Sequence, residues 1–213
     1  MTKKRTAILI SGRGSNMAAL IDAARHKDYP AEIALVISNR PEAPGLDRAR
    51  EAGIKAVAID QKQFGNRVAF EARMHETLLD HGIDLIANAG FMRMLTGGFV
   101  DRWRDRHLNI HPSLLPAFPG LDTHQRAIDA NVQIAGCTVH FIRLEMDSGP
   151  IVAQAAVPVM PNDTADTLAA RVLEAEHKLY PHALKLVASG AARVVDDRVV
   201  FAPPPGKTPT LIW

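Results

Sequence analysis

The chain has 213 residues, 47% of them hydrophobic, and carries Lys+Arg 25 against Asp+Glu 23 for a formal net charge of +2. That length and apolar content suffice for one sizeable core, and the near balance of charge leaves no electrostatic footprint for a general nucleic-acid or membrane role. The single cysteine, Cys137, excludes an internal disulfide and a cysteine-rich zinc site; behind Lys3-Lys4-Arg5, the apolar stretch Ala7 to Ile10 is far too short for a signal peptide or a membrane span, so a cytoplasmic protein is expected.

Short apolar runs alternate with helical patterns through the first hundred residues. Ala7-Ile8-Leu9-Ile10, Ile33 to Ile37, Ala56 to Ile59 and Leu85-Ile86-Ala87 are apolar on both faces, as buried parallel strands are. Helices are predicted between them near 17–25, 45–52 and 66–80, the last with Phe70, Met74 and Leu78 on one stripe at i, i+4 and i+8. This order predicts an α/β fold with a doubly wound, mostly parallel sheet and helices on both faces. After residue 107 the order changes to a short strand, a proline-rich loop, a helix near 123–130, and strands near 135–142 and 151–158 that flank a loop with Asp147. Cys137, in the first of these strands, reads as a small core hydrophobe. A long helix is predicted to start at Asn162-Asp163-Thr164, which offers N-cap chemistry, and Pro181 to bend or break it. The stretch 193–201 reads as a hairpin turning at Asp196-Asp197, and Pro203-Pro204-Pro205-Gly206 as a loose end. No repeat or linker splits the chain, so one domain over 1–213 is expected.

Gly12-Arg13-Gly14-Ser15-Asn16 follows the first strand and opens the first helix. Glycines there let backbone N–H groups approach an anion, and the helix terminus adds unpaired donors and partial positive charge. A dinucleotide fold would want a third glycine and an acid after the second strand, where this chain has Ser38-Asn39-Arg40; a Walker loop would want Gly-Lys-Ser/Thr. A phosphate site and a plain strand-helix turn both remain open from these residues alone.

Asn109-Ile110-His111-Pro112-Ser113-Leu114-Leu115-Pro116 puts an amide and an imidazole at i and i+2, on one face if the segment is extended. Two donors can then aim at one oxygen, and the prolines hold the backbone outside helical geometry, which reads as a site for carbonyl chemistry. A carboxylate beside the imidazole would favour its protonated, donating form, and Asp147 of Asp147-Ser148-Gly149-Pro150 is the candidate. His107 and His111 are four apart, but Pro112 denies them the helix that would put both on one face, so no metal is expected. His140 reads as a satisfied core histidine, with a supporting role near the site as the alternative.

The spelling Asn-Ile-His-Pro-Ser-Leu-Leu-Pro resembles the folate-dependent formyltransferases, and among them the branch that serves purine synthesis. Ile10 to Asn16, Ala89-Gly90-Phe91-Met92-Arg93-Met94-Leu95, Pro119-Gly120, Asp147 to Pro150 and Glu176-His177 extend the resemblance over nearly the whole chain. Two positions depart from the pattern: Ser148, where a second glycine would stand beside the aspartate, and Asp122, where the family often has histidine. The resemblance implies the formyltransferase fold, with a Rossmann-like nucleotide-binding half over 1–106 and a catalytic half with the C-terminal tail over 107–213. It implies transfer of a formyl group from 10-formyltetrahydrofolate to the amine of glycinamide ribonucleotide, with Asn109, His111 and Asp147 catalytic and Ser113 a scaffold or binding group. By the same resemblance Gly14, Ser15 and Asn16 meet the ribonucleotide phosphate, and Glu176 contacts the same substrate. Glu176 shares a helical face with Leu168 and Val172, so a buried structural ion pair is its alternative. The pterin and its glutamate tail fall to Met92, Arg93, Met94 and Leu95 at the carboxyl end of a strand, with Asn109. Arg67, poorly placed for its helix dipole, either joins them or is an ordinary solvated arginine.

Small-molecule substrates and a monomer or homodimer are expected, without nucleic acid or membrane partners. A methionyl-tRNA formyltransferase would carry an added tRNA-binding domain, for which the chain stops too early, and a formyltetrahydrofolate deformylase a regulatory domain, for which Met1 to Thr6 leaves no room. A non-catalytic nucleotide-binding module is disfavoured by the intact Asn109, His111 and Asp147.

Overall fold

The computed structural model describes residues 2–202 and 211–212 and divides the chain into two compact units, Met1–Leu108 and Asn109–Trp213. The first unit alternates strand and helix as the apolar runs dictate. Strand β1 (Lys4–Ile10) leads to helix α1 (Ser15–Ala24), β2 (Ala31–Ser38), α2 (Pro44–Glu51), β3 (Ala56–Ala58), α3 (Arg67–Asp80), β4 (Leu85–Asn88) and α4 (Gly97–Arg102). The strands lie in the order β4-β1-β2-β3 and every ladder among them is parallel. Ala7 to Ile10 are wholly buried because both faces of β1 are covered. Strand β3 departs from the buried expectation for Ala56 to Ile59. It ends the row, so only Ile59 just beyond it is buried, while Val57 is half-buried.

The α3 stripe of Phe70, Met74 and Leu78 is buried as its spacing predicts, and Asn66 caps the helix by accepting from the Ala69 N–H at 2.9 Å. Helix α4 and a 3-10 turn at Gln61–Gln63 were outside the periodicity reading, since six and three residues are too few to show a stripe.

Strand β5 (His107–His111) carries the chain from the first unit into the second. There follow α5 (Thr123–Asp129), β6 (Ile134–Phe141), β7 (Ile151–Pro158), α6 (Ala165–Ala188), the hairpin β8 (Ala192–Val195) and β9 (Arg198–Phe201), and the two-residue β10 (Leu211–Ile212). Here the order is β10-β7-β6-β5, with β6 antiparallel to β7 and β10 parallel to it. Parallel ladders prevail, as expected of this α/β fold.

Thr164 caps α6 in a reciprocal capping box with Thr167, while Arg171 grips Asp163 at 2.6 and 2.9 Å. That guanidinium holds the Asp163 carboxyl far below the usual carboxylate range. The helix then runs unbroken through Pro181 to Ala188, so the expected break is overturned. Leu179, Tyr180, Ala183 and Leu184 are fully buried around the proline, and that burial outweighs one missing backbone bond. The hairpin turns at Asp196-Asp197 as expected, both in left-handed backbone. The Pro203 to Gly206 loose end lies outside the described residues.

Met74 has no exposed surface, and replacing it with alanine removes buried volume that the neighbouring strands can fill only in part. The expected loss is about 2–5 kcal/mol of folding stability, read as a lower denaturant midpoint at unchanged slope in chemical unfolding.

Candidate functional site

In the first unit, Gly14 stands at the N-cap of α1 in left-handed backbone, φ 70°, where a Cβ would meet Met17 Cε at 2.9 Å. No side chain caps the helix, so its N-terminus presents backbone N–H groups and partial positive charge at Gly14-Ser15-Asn16. Ser11 ties this loop to the Met92 segment: its hydroxyl donates to Asn39 Oδ1 at 2.6 Å and accepts from the Met92 N–H at 2.8 Å. Met92 and Met94 are exposed, Leu95 is buried, and the Arg93 guanidinium lies over the Phe70 ring at 5.3 Å while donating to Gln61 Oε1. Arg67 is exposed on the first turn of α3.

In the second unit, the proline-rich loop is pinned by polar side chains of β6 and β7. Thr138 Oγ1 donates to the Ser113 carbonyl at 2.7 Å and accepts from the Leu115 N–H at 3.0 Å, while Gln154 Nε2 donates to the Leu115 carbonyl at 2.9 Å. Ser113 spends its own hydroxyl on the Ala117 and Phe118 carbonyls, as a scaffold residue does. The loop turns the Phe118 carbonyl toward His111, 3.1 Å from Nε2.

Asp147 Oδ2 lies 3.4 Å from His111 Nδ1, with the two side chains only 11% and 7% exposed. The Gly120 N–H donates to the same oxygen at 2.8 Å. Both ring nitrogens of His111 therefore face acceptors, and only an imidazole carrying both N–H groups can donate to the two at once. Asp147 itself sits in left-handed backbone, φ 53°. Its loop is closed by the Phe141 N–H on the Pro150 carbonyl at 2.9 Å and by Ser148 Oγ on the Glu145 carbonyl at 2.9 Å.

Asn109 and His111 do leave β5 on one side, yet they do not converge on one oxygen. Asn109 Nδ2 lies 3.3 Å from His140 Nε2. The other ring nitrogen of His140 faces the Phe141 carbonyl at 3.0 Å, so His140 donates from Nδ1 and accepts from the Asn109 amide at Nε2. Burial pushes His140 below the ordinary imidazole range in spite of the Phe141 carbonyl and the Asp147 carboxylate, which keeps it neutral and fit to accept. The amide retains a second N–H.

His140 is thus the satisfied core histidine expected, and its acceptor nitrogen also brings it to the cluster through the Asn109 amide. Its signal in the sequence was the period-2 spacing from Thr138 on β6. The Phe118 carbonyl and the Gly120 amide gave no signal, because backbone groups have no spelling. Glu176 is buried on the α6 face of Leu168 and Val172 as expected, and, after burial itself, its charge raises the Cys137 thiol above the usual range.

His124 and His140 are both held below the ordinary imidazole range, chiefly by burial. On acidification the unfolded chain takes up these protons first, so the stability they contribute is complete above about pH 6.5 and is lost as pH falls through the folded-state values below it. Thermal unfolding should therefore give a lower Tm at pH 5.5 than at pH 7.5, and His124→Asn should flatten the slope.

A family model described as formyl transferase matches residues 4–184. The phosphoribosylglycinamide formyltransferase of Haemophilus influenzae is 43% identical over 91% of this chain and 92% of its own length. The trifunctional purine biosynthetic protein adenosine-3 of Bos taurus is 50% identical over 92% of this chain, which spans only 19% of that longer protein. The crystal structure of glycinamide ribonucleotide transformylase 1 from Symbiobacterium toebii superposes with a TM-score of 0.90 at 45% identity, covering 93% of this chain and 94% of that one.

Proposed function

The chain belongs to the formyl transferase family, and from that premise we propose that it transfers the formyl group of 10-formyltetrahydrofolate to the amine of glycinamide ribonucleotide, giving formylglycinamide ribonucleotide in de novo purine synthesis. The names of bacterial relatives at 40% and 43% identity, matched over 90% and 92% of their length, support the formyl acceptor, and the family supports a folate-derived donor. The observation that carries the chemistry is the His111 imidazole between the Asp147 carboxylate and a carbonyl, beside an Asn109 amide with one N–H in reserve.

The folate fits the described residues: exposed Met92 and Met94 offer soft apolar surface beside the Arg93 cation at the carboxyl end of β4. When bound, it supplies an electrophilic formyl carbon; the amine forms the new C–N bond, the carbon's bond to N10 breaks, one proton leaves the amine and one goes to N10. The rest is the work of the chain. Asn109 turns its spare N–H, and His111 its Nε2–H, toward the oxygen on which negative charge develops, and His111 serves as the proton source. Asp147, facing Nδ1 at 3.4 Å, orients the imidazole. Gly14, Ser15 and Asn16 receive the ribonucleotide phosphate on backbone N–H groups, and Glu176 contacts that substrate. Met92, Arg93, Met94 and Leu95 contact the pterin, and Arg67 the glutamate tail.

Incubating the protein with glycinamide ribonucleotide and 13C-formyl-labelled folate tests the reaction. The label should appear on the glycinamide nitrogen; label found only in formate would contradict transfer. Asn109→Ala and His111→Ala should each lower kcat by about a hundredfold or more with little change in folate affinity. Gly14→Val should raise the ribonucleotide KM strongly, since valine resists the left-handed backbone and crowds Met17.

A further inference from the structure

An ion pair anchors the loop that carries Asp147 to the C-terminal hairpin. Arg143, just after β6, donates from Nε at 2.8 Å and from Nη2 at 2.6 Å to Asp197 Oδ1. Its third nitrogen, Nη1, donates to the Ile142 carbonyl at 3.0 Å. The arginine is 8% exposed while Asp197 is 56% exposed, so the cation is buried in the loop and its counter-charge reaches in from the hairpin turn. Asp197 is presented there by the paired left-handed residues Asp196 and Asp197, φ 48° and 58°, a geometry that fixes the direction of the side chain.

The aliphatic stem of Arg143 touches the far limb of the same loop. A Cβ on Gly149 would lie 3.2 Å from Arg143 Cγ and only 1.7 Å from the Phe141 carbonyl oxygen, so Gly149 is wedged between the base of the loop and the arginine. Two residues before it is Asp147, whose Oδ2 faces His111 and the Gly120 N–H. Removing the charge at Asp197 leaves the guanidinium buried with one partner fewer, and a buried cation in that condition moves toward water. Any such movement takes the wall away from Gly149 and loosens the backbone that aims Asp147.

We propose that Arg143 and Asp197 are positioning residues for the transfer: the hairpin, through this pair, holds the Asp147 loop in the geometry that engages His111. The inference rests on the role given to Asp147 above. Neither residue touches the reacting groups; the pair acts through Asp147, and misplacement of a catalytic group by about 1 Å can cost up to about a hundredfold in rate.

A double-mutant cycle on kcat tests this. Arg143→Gln and Asp197→Asn keep side-chain size close to the original, and asparagine tolerates the left-handed backbone of the turn. Each should lower kcat about tenfold with the two KM values changed by less than about twofold, and the double variant should be no slower than the slower single one. Arg143→Lys, which keeps the charge without the fork, should recover part of the loss. In an Asp147→Asn background the same changes should have no further effect on kcat. Wild-type kcat in both single variants, losses that multiply in the double variant, Arg143→Lys no faster than Arg143→Gln, or an undiminished loss in the Asp147→Asn background would each overturn the clamp. Failure of the underlying reading shows separately, as wild-type kcat in Asp147→Asn alone.

Discussion

A carboxylate that is nearly buried must be paid in hydrogen bonds, and the second unit is organised around meeting that requirement for Asp147. Its oxygen accepts the Gly120 N–H at 2.8 Å and lies 3.4 Å from His111. Each partner is held by a different segment: Gly120 by the end of the proline-rich loop, His111 by β5, and Asp147 by the β6–β7 connection. Two of these segments are also fixed at their bases. Thr138 and Gln154 hold the loop at Ser113 and Leu115, and the Phe141 and Pro150 backbone groups close the connection.

The same requirement explains where glycine stands and where it does not. Gly149 packs against the Phe141 carbonyl too closely for any Cβ. Ser148, one residue earlier, is exposed and bonds the Glu145 carbonyl, so serine replaces the glycine of the family pattern without obstructing the turn. Asp147 takes the left-handed backbone itself, which aspartate tolerates better than most residues. In the first unit the analogous constraint falls on Gly14, whose left-handed φ at the N-cap of α1 leaves no room for a Cβ beside Met17.

Much of the fold was legible in the chain because it rests on burial. The continuous apolar runs of β1 and β2 and the Phe70, Met74, Leu78 stripe declared their elements through period alone. Pro181 does not break α6, because propensity is local while Tyr180 and Leu184 on either side of it are fully buried. At the site, Asn109, His111 and Asp147 were legible as residue types that serve carbonyl chemistry. Asp147 was also legible as the partner of His111, but the other partners were not. The Phe118 carbonyl is delivered by a loop shape, the neutral state of His140 by burial, and the Arg143–Asp197 pair by residues 54 apart in the chain.

The central claim is that Asn109 and His111, which here face acceptors of the protein itself, turn to one oxygen when the formyl carbon becomes tetrahedral. The most direct measurement is a crystal structure with glycinamide ribonucleotide and a folate analogue whose carbonyl is hydrated to a tetrahedral carbon. One of its oxygens should lie within about 3 Å of both Asn109 Nδ2 and His111 Nε2, with the Phe118 carbonyl displaced from the imidazole and Asp147 still on Nδ1. An oxygen bound only by water or backbone, with Nε2 still on Phe118 and neither Asn109 N–H within reach, would contradict the account.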